Sequence, residues 1–467
     1  MNLLWYDLLA SVLAPFGAAW LAVSPRHRCL LARFHPPVPT FSGPVLWVQA
    51  CSVGEISVAR PFLQALRSRW PDLSLLLTVS TVSGYRLAST ACEGIPVTWF
   101  PFDHRVVVER FVRRARPRAL VLIETELWPN VIRAAIRRRI PVLLVNGRMS
   151  DKHHKRYLQM RGFYRAMCQQ LSAAGMQSDA YAERLLELGA KPTVVHVTGN
   201  IKFDGVATTV PEERRVHLRA EHGFSPDQPI LIFGSTRPGD EALAARCFTS
   251  LCGAFPDLRL VIALRHPERA SEVLALFGEP VLKRSDVIAG RRPQGERIHL
   301  VDTLGELVCL YSIGTVAVIG GSFSPEVQGH NPLESAALAV PTVFGPCMGN
   351  FADPARVLIE ASGARQVATA EELLPALKVL LQNPDERAAM AARGRAAILG
   401  QQGAISRTLD LLEQTVPGLI ENPKSKMTSS LDGGRNFMAG ILSREIGRYT
   451  SRKGGRGPRA DPVARGS

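Results

Sequence analysis

From Pro44 onward, short apolar runs alternate with amphipathic stretches of helical period. Val45 to Ala50, Leu73 to Val79, Val97 to Phe100, Ala119 to Ile123 and Pro141 to Val145 read as strands. Each is followed by a polar loop and a helical pattern, and weaker αβ units continue to Val194 to Val197. A polar, proline-bearing stretch from about Gly205 to Pro229 marks a boundary. A second series then begins, with runs at Ile230 to Phe233, Leu258 to Ala263, Ile298 to Val301, Val316 to Ile319 and Pro341 to Phe344. Strands alternating with helices predict parallel sheets, and near-continuous apolar runs are what strands buried on both faces require. The pattern therefore predicts an α/β chain of two doubly wound, Rossmann-like domains, 36–205 and 206–418, facing each other across a cleft. Ligands are expected at the carboxyl ends of the strands.

The two ends of the chain break this pattern. Leu8 to Val23 is almost continuously apolar, interrupted by Pro15, with Asp7 just before it and Arg26, Arg28 and Arg33 following. Region 1–35 is expected to be a membrane anchor or an interfacial helix, and a helix buried against the first domain is the alternative. Region 419–467 is basic and rich in Gly, Ser and Arg, and is expected to be a disordered tail. From Glu421 to the end there are ten Lys/Arg against four Asp/Glu, part of a formal net charge of +15 over 467 residues. So basic a body suggests an anionic partner. The aromatics are not interleaved with basic clusters as a single-strand stacking platform would need, so nucleic acid is not expected. The eight cysteines are scattered, with no metal-like Cys/His spacing, and read as reduced thiols; no metal and no cofactor are expected.

Candidate chemistry sits at the strand ends. Glu55 follows Cys51-Ser-Val-Gly in a strand-to-helix turn, placed either to accept a proton from a substrate hydroxyl or simply to favour a helix dipole. Glu124 and Glu126 project the same way if the backbone there is extended. Lys202, after Thr198-Gly199, is expected to reach towards the gap between the domains. Arg265 and His266 follow a strand of the second domain and suit an anionic group. Val316 to Ile319 runs into Gly320-Gly321, and Asn331-Pro332-Leu333-Glu334 then has an N-cap, a first-turn proline and a capping glutamate in register. Free N–H groups there would seat a phosphate.

Two Rossmann-like domains with a carboxylate in one and a phosphate seat in the other resemble a glycosyltransferase of the GT-B type. Cys51-Ser-Val-Gly-Glu55, Glu124-Thr-Glu-Leu-Trp-Pro-Asn130, Thr198-Gly-Asn-Ile-Lys-Phe-Asp204, Arg265-His-Pro-Glu-Arg269, Leu304-Gly-Glu306 and Gly329-His-Asn-Pro-Leu-Glu334 stand in order. Together they resemble the 3-deoxy-D-manno-octulosonic acid (Kdo) transferases of lipid A assembly, over about residues 1–415. The resemblance implies CMP-Kdo as donor, lipid IVA as acceptor and the cytoplasmic face of the inner membrane as location. It implies Glu55 as general base, with Glu124 and Lys202 supporting the transition state. It also implies CMP binding by Leu264, Arg265, Leu304, Gly305, Glu306, Asn331, Pro332, Leu333 and Glu334. Gln328 stands where the family usually has glycine, and Arg237 and Cys347 where histidine is commoner. A nucleotide-sugar epimerase or a non-catalytic nucleotide-sugar binder on the same fold is the alternative.

Overall fold

The computed structural model describes residues 3–25 and 27–417, so the expected tail at 419–467 lies outside the described residues. Two compact units divide the described chain: residues up to Val206 together with those from Leu399, and residues Ala207–Ile398. Each is built on one seven-stranded parallel sheet.

The first sheet contains β1 (Val45–Gln49), β2 (Ser74–Val79), β3 (Val97–Trp99), β4 (Pro117–Ile123), β5 (Val142–Gly147), β6 (Ala173–Met176) and β7 (Val195–Val197). Its order is β3-β2-β1-β4-β5-β6-β7. The chain starts in the middle, winds one way to β3, then crosses back to lay β4 on the free edge of β1. That reversal brings the loop after β1 beside the loop after β4, the position at which a doubly wound sheet opens a crevice. Every residue of β1 is buried, as a central parallel strand demands. Its Trp47 is fully buried against Phe100 and Phe111, and the indole N–H donates to Thr78 Oγ1 at 2.8 Å.

The second sheet contains β8 (Ile230–Thr236), β9 (Arg259–Leu264), β10 (Val281–Lys283), β11 (Ile298–Val301), β12 (Val316–Ile319), β13 (Thr342–Phe344) and β14 (Ala364–Gln366). Its order, β10-β11-β9-β8-β12-β13-β14, puts the reversal between β8 and β12. Loops after β8, β9 and β12 therefore end side by side. Three strands have no distinct apolar run in the sequence: β6, β10 and β14 are three or four residues long, and only their sheet neighbours define them.

One boundary differs from the sequence reading, which kept everything to 418 in the second domain. The helix Ala404–Thr415 packs instead on β6 and on the helix Val53–Arg69 of the first unit. Asp204 fastens it by accepting the backbone N–H groups of Gly403 and Ile405, and Arg407 Nε donates to the Thr198 carbonyl at 2.8 Å. Arg69 adds ion pairs to Asp410 and Glu413. A purely local apolar pattern cannot say which sheet such a face will cover.

The N-terminal helix Leu3–Val23 is held to the first unit by its polar residues. Asp7 pairs with Arg133 at 2.6 Å, and the Tyr6 hydroxyl donates to Asp103 at 2.8 Å. Its apolar side chains face outward: Trp5, Leu8, Leu9, Val12, Leu13, Phe16, Trp20 and Val23 are all at least half exposed. Trp5–Val23 is long and apolar enough to cross a membrane, and none of it is buried in the protein. So much uncovered apolar surface is the reverse of what a core helix shows.

Candidate functional site

In the first unit, the reversal between β1 and β4 assembles a cluster of acids. Ser52 caps the helix Val53–Arg69, which places Glu55 in its first turn. The Glu55 carboxylate bends back over the turn, accepting the Cys51 N–H and, at 3.1 Å, the Ser52 hydroxyl. It thus satisfies an N–H just ahead of the helix and is nearly buried, at 7% exposure. Burial, then the neighbouring Glu126 carboxylate, with Glu124 a lesser contributor, push its pKa up to about 8.

Glu124 and Glu126 come to this spot by a different route from the one their spacing suggests. The backbone is not extended there, because β4 ends at Ile123 and Glu124 adopts a left-handed conformation, φ +57°. Its N–H still donates to the Val145 carbonyl at 2.8 Å, so the turn is pinned to β5. Glu126 accepts the Trp128 indole N–H at 2.8 Å, and burial raises its pKa too. Cys51 Sγ and one oxygen each from Glu55 and Glu126 all lie within 4.8 Å of one another. Linear Cys/His spacing gives no sign of this grouping. Burial and Glu126 push the Cys51 thiol up to about 12, so the thiol keeps its proton at neutral pH and the sulfur is not a nucleophile.

Lys202 approaches from the segment after β7. Its Nζ is 4.0 Å from Glu124 Oε1, with both side chains mostly buried. A chain of amides sets its position: Asn200 Oδ1 accepts the Lys202 N–H at 3.0 Å, and buried Asn146 Oδ1 accepts the Ile201 N–H at 2.9 Å. Asn146 has φ +56°, a conformation asparagine tolerates better than most residues. Its position at the end of β5 was visible in the sequence, but its partner 55 residues away was not. Glu55, Glu124 and Lys202 are therefore brought together, with Glu126 beside Glu55 although no role was expected of it.

In the second unit, the residues expected to bind a nucleotide fall into three groups. Arg265 is exposed at the end of β9 and acts electrostatically on both Glu334 and His330. Asn331 Oδ1 accepts the Leu333 N–H at 3.1 Å while its amide donates to Glu334 Oε1 at 3.1 Å, so Asn331 caps the turn through its side chain, but the helix opens at Leu333 with Pro332 at its N-cap, one residue later than expected. The helix that follows, Leu333–Ala337, is only five residues long, too short to build a useful dipole. Anion binding here must rest on side-chain charge. Leu264, Pro332 and Leu333 are buried, Leu333 completely, and its N–H is already spent on Asn331, so they stand behind the surface that a ligand can reach. Leu304 is 66% exposed and Gly305 turns at φ +90°. The Glu306 carboxylate is turned inward: it accepts from Thr303 Oγ1 at 2.6 Å and from fully buried Arg284 at 2.8 Å.

Three features of this unit were not legible as site residues. Asp240 Oδ2 accepts the N–H of Arg237 at 2.8 Å and of Gly321 at 2.7 Å, tying the loop after β8 to the loop after β12. The loops touch so closely that a Cβ on Gly320 would lie 2.4 Å from the Ser235 carbonyl oxygen. Arg237 itself reaches His266 and His330. Gln328 has φ +61°, the backbone that glycine adopts without strain. Its amide holds it there by donating to Pro325 O at 2.6 Å and accepting from Gly349 N at 3.2 Å.

Residues 26–205 match the family model described as 3-Deoxy-D-manno-octulosonic-acid transferase (kdotransferase). A 3-deoxy-D-manno-octulosonic acid transferase of Haemophilus influenzae is 31% identical over 401 residues, covering 84% of this chain and 92% of its own. The chain belongs to the Kdo transferase family. The Bordetella pertussis 3-deoxy-D-manno-octulosonic acid transferase is 33% identical, with 85% and 92% covered. This Kdo transferase is thus a glycosyltransferase, and its two parallel sheets are those of the GT-B fold. A solved putative UDP-N-acetylglucosamine 2-epimerase from Listeria monocytogenes shares the fold, with TM-score 0.54 at 14% identity over 81% of this chain and 98% of its own.

Proposed function

We propose that this Kdo transferase moves Kdo from CMP-Kdo to lipid IVA at the cytoplasmic face of the inner membrane, with Glu55 as general base. The observation that carries the reading is Glu55 itself: a nearly buried carboxylate at the reversal of its sheet, with proton affinity raised into the range a base needs at neutral pH. In its ionised form Glu55 takes the proton of an acceptor hydroxyl as that oxygen attacks the anomeric carbon of the sugar. The bond from that carbon to the phosphate oxygen breaks, and CMP leaves with the bonding electrons. Lys202 and Glu124 stand beside the base and steady the charge that moves through it. Arg265, Asn331 and Glu334, with the exposed turn at Leu304 and Gly305, hold the nucleotide, and buried Leu264, Pro332 and Leu333 fix where those groups stand. Glu306 contributes by fixing its loop to Arg284. The outward apolar face of Leu3–Val23 seats the protein on the bilayer that carries the acceptor.

The test supplies full-length protein in detergent with lipid IVA and CMP-Kdo generated in place, and follows acceptor mass. Wild type should add Kdo, and Glu55→Gln should lose roughly 100-fold or more of the rate, the scale of general-base catalysis. No product from wild type refutes the donor–acceptor pair. Full rate in Glu55→Gln leaves the carboxylate as a helix cap only.

A further inference from the structure

The Arg237 side chain ends between two imidazoles. Its Nη1 is 2.6 Å from His266 Nε2, and its Nε donates to His330 Nε2 at 3.3 Å. A guanidinium can only donate, so both Nε2 atoms must be acceptors and each ring carries its hydrogen on Nδ1. His266 agrees independently, because its Nδ1 faces Glu268 Oε1 at 3.2 Å, where a donor belongs. At His330, burial and then the nearby Arg237, Arg265 and His266 push the pKa down to about 4, which keeps that ring neutral. Arg237 is therefore steered by uncharged groups.

Two arginines of this unit, Arg269 and fully buried Arg284, each carry carboxylates at 2.7–3.0 Å: Glu241 and Glu272 for one, Glu221 and Glu306 for the other. Among the described residues Arg237 makes no such pair. Asp240 spends its Oδ2 on the backbone N–H groups of Arg237 and Gly321 rather than on the guanidinium. Asp240 acts on the guanidinium electrostatically but makes no ion pair with it, so this half-buried cation keeps hydrogen-bonding capacity for an incoming anion. Nη2 and the second hydrogen of Nη1 remain to meet one, in the fork that fits a carboxylate or phosphate.

We propose that Arg237, held by His266 and His330, binds an oxyanion of the donor beside Arg265. The proposal rests on the donor reading above and names a contact that reading does not include. A nucleotide-linked sugar acid carries two oxyanions, a phosphodiester and a carboxylate, and the two guanidiniums match them in number.

The experiment measures CMP affinity by calorimetry and the donor KM by acceptor mass gain, on full-length protein, for wild type, Arg237→Gln and Arg237→Lys. The donor KM should rise roughly 10- to 100-fold in Arg237→Gln, the range of a hydrogen bond to a charged group, and by more than kcat falls. Arg237→Lys should recover part of the loss without the fork, at an unchanged melting temperature. A parallel fall in CMP affinity assigns the contact to phosphate; CMP affinity kept while KM rises assigns it to the sugar carboxylate. A folded Arg237→Gln, or Arg237→Lys if the first does not fold, with unchanged CMP affinity and donor KM overturns the inference while leaving the donor reading intact. A wild type that neither binds CMP nor forms product refutes both.

Discussion

Glu55 should set a conflict between stability and function whose size follows from its surroundings. Its pKa stands at about 8 in the fold against the usual 4.5. Each tenfold change in proton affinity is worth about 1.4 kcal/mol, so ionising this carboxylate in place costs about 5 kcal/mol relative to the unfolded chain. The sign follows from the direction. Because the folded value is raised, the favourable contribution of the protonated acid is complete below pH 4.5 and is lost as pH rises to about 8. Glu55→Gln keeps an acceptor for the Cys51 N–H and removes the charge. At pH 9 the variant should therefore be more stable than wild type by several kcal/mol, and near pH 4 by almost nothing. All six tryptophans lie in the first unit, so urea unfolding followed by tryptophan fluorescence reads this unit selectively. A stability difference that does not change between pH 4 and pH 9 refutes the reasoning, as does one that grows towards acid.

Two further outcomes follow from the same contacts. Glu126→Gln removes the largest charge acting on Glu55, so the acidic limb of the pH profile of kcat/KM, near pH 8 in wild type, should move to lower pH; an unmoved or raised limb contradicts the coupling. Glu306→Gln takes one carboxylate charge away from fully buried Arg284, which should destabilise the second unit by roughly 3 kcal/mol in urea unfolding followed by circular dichroism. Unchanged stability there would mean that the Glu306 carboxylate is free for a ligand.

The chain's periodicity alone determined two series of parallel strands and helices, because a strand buried on both faces must be apolar throughout whatever its neighbours. It also placed Glu55, Glu124, Lys202, Arg265 and Asn331 at strand ends, since loops begin where apolar runs stop. The exposed apolar helix at the N-terminus was equally legible, from composition. Sheet order was not, because pairing is a long-range choice that local pattern leaves open. That order decides the sites: β4 beside β1 brings Glu126 to Glu55, and β8 between β9 and β12 brings Arg237 to His266 and His330. Tertiary contacts also override local expectation, as at Glu124, held left-handed by β5 where alternation called for an extended strand. The same holds for Glu306, which was drawn inward by a buried arginine 22 residues away. Residue types and spacing set which chemistry was available; proton affinities and the partners of each charge arose only when burial and neighbours were fixed, because desolvation and Coulomb interactions depend on distances that the linear chain does not specify.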